Sequence, residues 1–431
     1  MSSLRTIRNS TGKQIVLRSE LGRGGEGTVY AVDGDNKIAA KLYHQDKANE
    51  RREKILSMVN ANWHAQASNV AFPIDALFNA SSQFIGFTMP RVGGHKPIER
   101  LYSPTSRKTD FPKATFPFLV RVALNIARAL AKVNATGCVV GDINHSGVLV
   151  SDDATVTLID CDSFQVSSNG KLFHCKVGVS EFTPPELQGK RLDQIVRTTN
   201  HDSFGLAVLL FSLLFMGRHP FAGKYLGKGD MPMETAITQF RFAYSARKSE
   251  TKMEPPPNVP LLTDIPQNLA NAFEIAFGPP GVSVGRPTPA NWIELLEAAE
   301  KQIVLCRNNA AHQHFQAAKS CPWCAMEKAY PGFIAFSPTF PSNLGTPVDL
   351  GQLIAAINAV TDPGVVNPLQ TLMPIAASSP SPLPPLSNSN WKARYTGGLV
   401  AARASGWVSN SGMRSNLSER RRRRFQNGAM S

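Results

Sequence analysis

No apolar run in this chain approaches the ~20 residues that a membrane-spanning helix requires; Gly351 to Val360 is far too short. The first ten residues, MSSLRTIRNS, contain no apolar h-region, so the expectation is a cytoplasmic chain without a secretory signal. Cysteine is scarce. Three of the six are scattered (Cys138, Cys161, Cys175) and three are clustered (Cys306, Cys321, Cys324), which argues against a disulfide framework and for one metal site. Acidic residues are outnumbered, 32 against 46 Lys and Arg, and the formal charge of +14 points to an anionic partner such as a nucleotide, nucleic acid or an acidic protein. Some of that excess is local, because Arg420 to Arg424 are unbroken. From Pro331 onward both charge and periodicity fade into Pro, Ser, Ala and Asn, so a largely disordered linker with a basic tail is expected. No helix-hairpin-helix pattern is found there, so nucleic-acid contact rests on charge alone and would weaken steeply with salt.

The stretch from Cys138 to Phe164 holds two short apolar runs, Val148–Val150 and Val156–Ile159, around a Ser-Asp-Asp-Ala turn. This pattern predicts a hairpin. Asp142 precedes its first strand and Asp160 follows its second, so the hairpin brings two carboxylates to one end. Such a pair suits a metal–phosphate site, one carboxylate orienting a hydroxyl and the other holding Mg²⁺. Taken alone, two solvated aspartates on a surface hairpin fit as well.

Three strands with tight turns are predicted over Gln14 to Tyr43. Gly22, Gly24 and Gly27 form G-x-G-x-x-G, and Thr28 to Val32 continue as strand, whereas a dinucleotide-binding version opens a helix. Lys41 stands alone among apolar neighbours on the third strand, placed to meet phosphate. A polar helix follows over Ala48 to Asn60; Glu53 is the preferred partner for Lys41 and Glu50 its competitor, which spacing does not separate. Ile85 to Pro90 reads as a buried strand that ends at Pro90. Phe116 to Val133 has helical periodicity, His201 onward is an almost wholly apolar helix that must be buried, and Ala290 to Val304 reads as a last amphipathic helix.

The order of these motifs resembles the eukaryotic-type protein kinase superfamily over about residues 12 to 303. Gly22-x-Gly24-x-x-Gly27-x-Val29 resembles the glycine-rich loop and Ala39-Ala40-Lys41 the strand bearing the ATP lysine. Asp142 falls at the catalytic-loop aspartate and Asp160 at the first position of Asp-Phe-Gly. Gly178 to Glu186 looks like the loop closing on Ala-Pro-Glu, Asp202 like the aspartate bracing the catalytic loop, and Arg286 like the arginine that pairs with Glu186. The resemblance implies an α+β bilobal fold: a small β lobe over 1–92 and a helical lobe over 93–303. It implies ATP with Mg²⁺ or Mn²⁺ as cofactors, a protein Ser/Thr substrate, and catalytic roles for Asp142, Lys41 and Asn144. Gly22, Gly24, Gly25, Gly27, Val29, Ala39, Lys41, Glu53, Met89 and Asp160 are the implied nucleotide-site residues.

There are departures. The family's His-Arg is Val140-Gly141 here, which leaves no obvious anchor for a phosphorylated activation loop. The metal-binding asparagine is Gly147, and Asp-Phe-Gly is Asp160-Cys161-Asp162. Asn144 or Asp162 is the candidate to take over the missing Mg²⁺ ligation. Gly-Asp-x-Asn followed by Ile159-Asp-x-Asp-Ser-Phe-Gln165 resembles a divergent bacterial branch with zinc-ribbon or helix-hairpin-helix extensions. Kinases of that branch often accompany a PP2C-like phosphatase and a von Willebrand A (TerY-like) protein.

Cys306, His312 and Cys321-Pro-Trp-Cys324 supply four ligands for a structural tetrahedral Zn²⁺. His314 is the alternative histidine; the branch's Cys…His spacing favours His312. A zinc-ribbon-like module is therefore expected over 304–328 and a disordered linker with the basic tail over 329–431. The competing function is a pseudokinase or nucleotide-binding scaffold, for which Gly147 is the main support.

Overall fold

The structure, a computed structural model, describes residues 7–337. The linker from 338 and the arginine run lie outside the described residues.

The N-terminal lobe is one antiparallel sheet. Its strands are β1 (Ile7–Asn9), β2 (Gln14–Ile15), β3 (Leu17–Arg23), β4 (Gly27–Val32), β5 (Asp35–Tyr43), β6 (Asp75–Phe78) and β7 (Phe84–Pro90), in the order β2-β1-β6-β7-β5-β4-β3. Helix α1 (Gln45–Asn60) and the single turn α2 (Trp63–Gln66) interrupt it. The two-residue period of a strand divides β5 between two environments. Ala40 and Leu42 pack on one face with Ile7, Val32 and Leu77, whereas Lys41 and Tyr43 face the opposite side, towards α1.

The connector carries β8 (Lys96–Pro97) and α3 (Pro104–Asp110), and the C-terminal lobe begins at α4 (Phe116–Ala135). Pro117 sits in the first turn of α4, where its missing N–H costs nothing. The apolar positions of α4 are buried, from Leu119 to Val133. The hairpin is β9 (Val148–Val150) against β10 (Val156–Leu158), with Val150 opposite Val156 and Val148 opposite Leu158. A second hairpin, β11 (Val166–Ser168) and β12 (Lys171–Phe173), opens the activation segment. Helix α5 (Thr199–Leu214) is buried continuously from Asp202, in keeping with its apolar sequence. Its N-terminus is closed by the Thr198 hydroxyl, which accepts from His201 N, while the His201 ring accepts from Thr198 N. Small elements follow, β13 (Lys224–Tyr225), α6 (Met233–Thr238), α7 (Lys248–Thr251) and β14 (Met253–Glu254), then α8 (Gln267–Phe277) and α9 (Pro289–Glu300).

Two expectations need correction. The last helix stops at Glu300, and Ile303–Leu305 is instead strand β15, paired with β16 (Gln313–Phe315). The β-branched Ile303 and Val304 gain a ladder there that a helix does not offer. Helix α10 (Pro322–Ala329) follows, and beyond it Ala335 and Phe336 are buried, so the expected free linker does not begin at 329. Phe336 is buried against Phe116 and Trp323, and the Arg107 guanidinium stacks over it at 4.6 Å while donating to the Ala335 carbonyl at 2.5 Å. Among the described residues no helix is long and apolar enough to cross a membrane.

Candidate active site and Cys/His centre

The sheet register assembles one wall of the site. Val29 lies opposite Lys41 on β4–β5, and Ala39 opposite Met89 on β5–β7, so these four of the ten expected nucleotide-site residues share a face of the lobe. Gly22 and Gly27 flank the turn closed by the Gly24 N–H to Gly27 carbonyl bond. Gly27 is required by packing: a Cβ there would lie 2.3 Å from the Leu42 carbonyl oxygen. Gly25 and Gly22 face open space, which leaves the tip of the turn free for backbone approach to a phosphate.

The opposite wall is the catalytic loop and hairpin. Asp142, Asn144, Gly147 and Asp160 border one cavity of about 110 Å³ behind the loop. Asp160 adopts a left-handed backbone (φ 59°), an uncommon conformation for a non-glycine residue, and its carbonyl accepts from Ser163 N and Oγ. Its side chain remains 65% exposed at the cleft mouth. Withdrawal from water by the cleft raises its pKa; Lys41 at 3.9 Å opposes this, and the like charges of Asp162 and Asp142 add to it. The loop itself is braced from below by Asp202, which accepts from Val140 N (2.7 Å) and Gly141 N (2.8 Å). Burial pushes the Asp202 carboxyl up to about 7 against those two bonds. The expected Arg286–Glu186 pair is present, bidentate at 2.7 and 2.8 Å.

Asn144 occupies a different role from the one expected. Its Oδ1 accepts from Ser146 N (2.8 Å) and Ser146 Oγ (2.5 Å), capping a short 3₁₀ turn, and its Nδ2 donates to Asp142 Oδ1 at 2.9 Å. With both acceptor positions used, Asn144 holds Asp142 in place and has none left for a cation. Gly147 adds no ligand, though a Cβ there would meet nothing within 4 Å.

The Lys41 partner also differs. Glu53 lies on the exposed side of α1 and pairs with Lys171, and Glu50 pairs with Lys176, both in the activation segment. The inward face of α1 bears Arg51 and Lys54 instead, because the apolar positions Ala48, Ile55 and Met58 fix the rotation of the helix. Lys41 is held by Asp162, 2.9 Å and 2.8 Å from its two oxygens. Tyr43 donates to the same carboxylate at 2.7 Å, and Lys54 to its backbone carbonyl at 2.8 Å. Burial works against charge on Lys41, but Asp162 and Asp160 outweigh it and hold its pKa above the ordinary lysine value. Burial likewise opposes charge on Asp162, which Lys41 and Tyr43 overcome, so its pKa is lowered.

Arg197 is a site residue that sequence reasoning missed. Gly141, where the family has arginine, has φ +76°, and a Cβ there would lie 2.6 Å from Cys175 Cβ. Arg197, 3% exposed, donates to the Gly141 and Val177 carbonyls at 2.8 and 3.1 Å, joining catalytic loop to activation segment. No local pattern marks it, because its partners are backbone oxygens 56 and 20 positions away.

In the C-terminal module β15–β16 and α10 gather Cys306, His312, Cys321 and Cys324, whose ligand atoms all lie within 4.8 Å of one another. Cys306 Sγ and Cys324 Sγ are 3.6 Å apart, close to the edge of about 3.8 Å that Zn–S bonds of ~2.3 Å give in a tetrahedron. His312 turns Nδ1 to the Cys324 sulfur (3.3 Å) and Nε2 to Glu327 (3.0 Å), a carboxylate able to orient a ligating imidazole. Glu327 was not singled out by sequence, although it lies three residues after Cys324 on α10. His314 turns to the Phe315 carbonyl.

Comparison with known proteins agrees with this geometry. Residues 15–292 match the family described as protein kinase domain. The chain is 41% identical over 324 residues to the protein kinase YegI of Escherichia coli K12, covering 74% of this chain and 50% of the relative. It is 40% identical over 328 residues to that of E. coli O157:H7, covering 75% and 50%. It thus spans about half the length of these curated relatives. On that match, with a bilobal architecture and a braced catalytic loop beside it, the chain belongs to the protein kinase domain family.

Proposed function

We propose that the chain is an ATP- and Mg²⁺-dependent (or Mn²⁺-dependent) protein kinase that phosphorylates Ser or Thr hydroxyls in bacterial signalling. The observation that carries this reading is Asp160 standing 3.9 Å from Lys41 and bordering the same cavity as Asp142, with Asp142 held by Asn144. Oxygen donors such as the open Asp160 carboxylate suit a hard divalent cation, which when bound would neutralise charge on the phosphates. Asp142 orients the substrate hydroxyl and accepts its proton as the oxygen bonds to the γ-phosphorus and the bond to ADP breaks. Lys41 binds phosphate oxygens, and the glycine turn covers them. Val29, Ala39 and Met89 line the adenine side.

The donor set of the C-terminal module fits a structural Zn²⁺, since four protein ligands leave no open position for water. Two further proposals rest on the sequence: a PP2C-like phosphatase and a TerY-like protein as partners, from resemblance alone, and cytoplasmic location, from the residues at the N-terminus and the cysteine pattern. Recovery of neither protein with the tagged chain would remove the first.

The test is phosphate transfer from γ-labelled ATP with Mg²⁺ or Mn²⁺, comparing wild type with Asp142→Ala. Incorporation that Asp142→Ala abolishes is expected; equal incorporation in both contradicts the kinase reading. Nucleotide that raises the melting temperature without any transfer would favour the scaffold reading, which the missing ligand at Gly147 supports.

A further inference from the structure

We propose that Asp162 is the residue that positions Lys41 for nucleotide phosphate, and that α1 supports this pair with cations instead of supplying its carboxylate. This rests on the nucleotide-binding reading of the cleft.

Lys41 and Tyr43 share one face of β5, so two consecutive inward side chains of the strand reach the same carboxylate. Asp162 is 3% exposed and both its oxygens are engaged, Oδ1 by Lys41 and Oδ2 by Lys41 and Tyr43. These three bonds leave one acceptor site, on Oδ1 of a side chain only 3% exposed, whereas Asp160, two residues earlier, is open. The pair of aspartates divides two tasks: the exposed one is left for metal and the buried one fixes the lysine.

Lys41, Lys54 and Arg51 supply three cations, and Asp162, Asp160 and Glu26 three carboxylates. Arg51 forms a two-pronged pair with Glu26 of the glycine loop, and Lys54 donates to the Asp162 carbonyl. Helix α1 thus ties the glycine turn to the loop bearing Asp162 through two cations, both buried. A buried carboxylate without such partners would be strongly unfavourable. Glu50 and Glu53 are excluded from the cluster by the apolar face of α1 and are bound to Lys176 and Lys171.

Binding of a fluorescent ATP analogue to the full chain, with Mg²⁺ and with EDTA, tests this without requiring turnover. Asp162→Asn should weaken binding roughly tenfold in both conditions, the scale of a lost charged hydrogen-bonded contact. Lys41→Met should weaken it similarly, and the double variant no further, because the two act as a unit. Asp162→Glu should recover part of the loss, and Glu50→Gln and Glu53→Gln should stay within about twofold of wild type. A merely structural role for Asp162 would lower the melting temperature and add to Lys41→Met. Should Asp162→Asn not fold, Tyr43→Phe, which removes one bond to the carboxylate, is tested in the same way and should also lose its effect in the Lys41→Met background. The proposal is overturned by unchanged binding in the Asp162 or Tyr43 variant, by additive losses, or by a glutamate variant that loses as much. It is equally overturned by a loss confined to Mg²⁺, which would make Asp162 a metal ligand. A wild type that binds no nucleotide at all overturns the nucleotide reading itself and the proposal with it.

Discussion

The cleft around Lys41 and the cysteine knuckle around Cys321 both gather costly polar groups inside protein, but they do so over very different spans of chain. The knuckle draws four ligands from nineteen consecutive positions, 306 to 324, and two of them sit in a Cys-x-x-Cys turn. Its geometry follows from local backbone. The cleft draws Glu26, Lys41, Arg51, Lys54, Asp160 and Asp162 from the glycine turn, a strand, a helix and a loop. Its geometry depends on how α1 is rotated, which is set by apolar packing and not by the charged residues themselves. A local site is fixed by spacing; a distributed one is fixed by the core beneath it.

The largest expected effect is on the distributed site. Asp160→Ala should reduce phosphate transfer by at least about 100-fold, because it removes the open carboxylate available to a cation. Assay of initial rates over a range of Mg²⁺ checks this, and a loss restored by high Mg²⁺ would show another ligand at work.

The local site should answer to metal. Chelation with a strong zinc chelator, or Cys321→Ser, should lower the melting temperature by roughly 5–10 °C. The loss should spread to the neighbouring lobe, because Phe116 of α4 packs on Phe315 and Trp323 at 5.0 and 5.1 Å. Hydrogen exchange in the first turns of α4 reads this. Unchanged protection there would mean that the module holds without metal.

Gly147 sharpens the comparison from the other side. Open space at its Cβ position means an asparagine fits, and its backbone is not in the left-handed region. Gly147→Asn should lower the Mg²⁺ concentration for half-maximal transfer about two- to tenfold. An unchanged requirement would place no metal near that position.

Much of both sites was legible. Asp142, Asp160 and Lys41 stood out because hairpin and strand patterns are short-range, and Cys306 to Cys324 because ligand spacing is. The Lys41 partner was not legible. Glu50, Glu53 and Asp162 are all acids within reach of a plausible fold, and only the inward face of α1, defined by Ala48, Ile55 and Met58, excludes the first two. The docking of Ala335 and Phe336 was hidden for a similar reason: their partner Arg107 lies more than two hundred residues away in the chain. Asn144 was assigned to metal by its neighbourhood in sequence, whereas its bonds to Ser146 and Asp142 appear only once the turn is built.

The smallest expected effect concerns Lys54. Burial, reinforced by Arg51 and opposed by Cys175 and Asp162, pushes its pKa down to about 8. In the unfolded chain a lysine titrates near 10.4. Below pH 8 both states hold the proton and the penalty is fully present. Between about 8 and 10.4 the unfolded chain binds more protons, so stability rises with pH. Urea midpoints of wild type and Lys54→Met at pH 7.5 and 9.5 should show that rise in wild type and its reduction in the variant. Equal slopes would mean that Lys54 is solvated in the folded protein.

The most direct test of the whole account is one side-by-side assay of phosphate incorporation from γ-labelled ATP by wild type, Asp160→Ala and Glu53→Gln. The account predicts that Asp160→Ala is silent while Glu53→Gln transfers phosphate at close to the wild-type rate. Loss of transfer in Glu53→Gln to the level of Asp160→Ala would contradict it, by showing that α1 supplies the carboxylate after all.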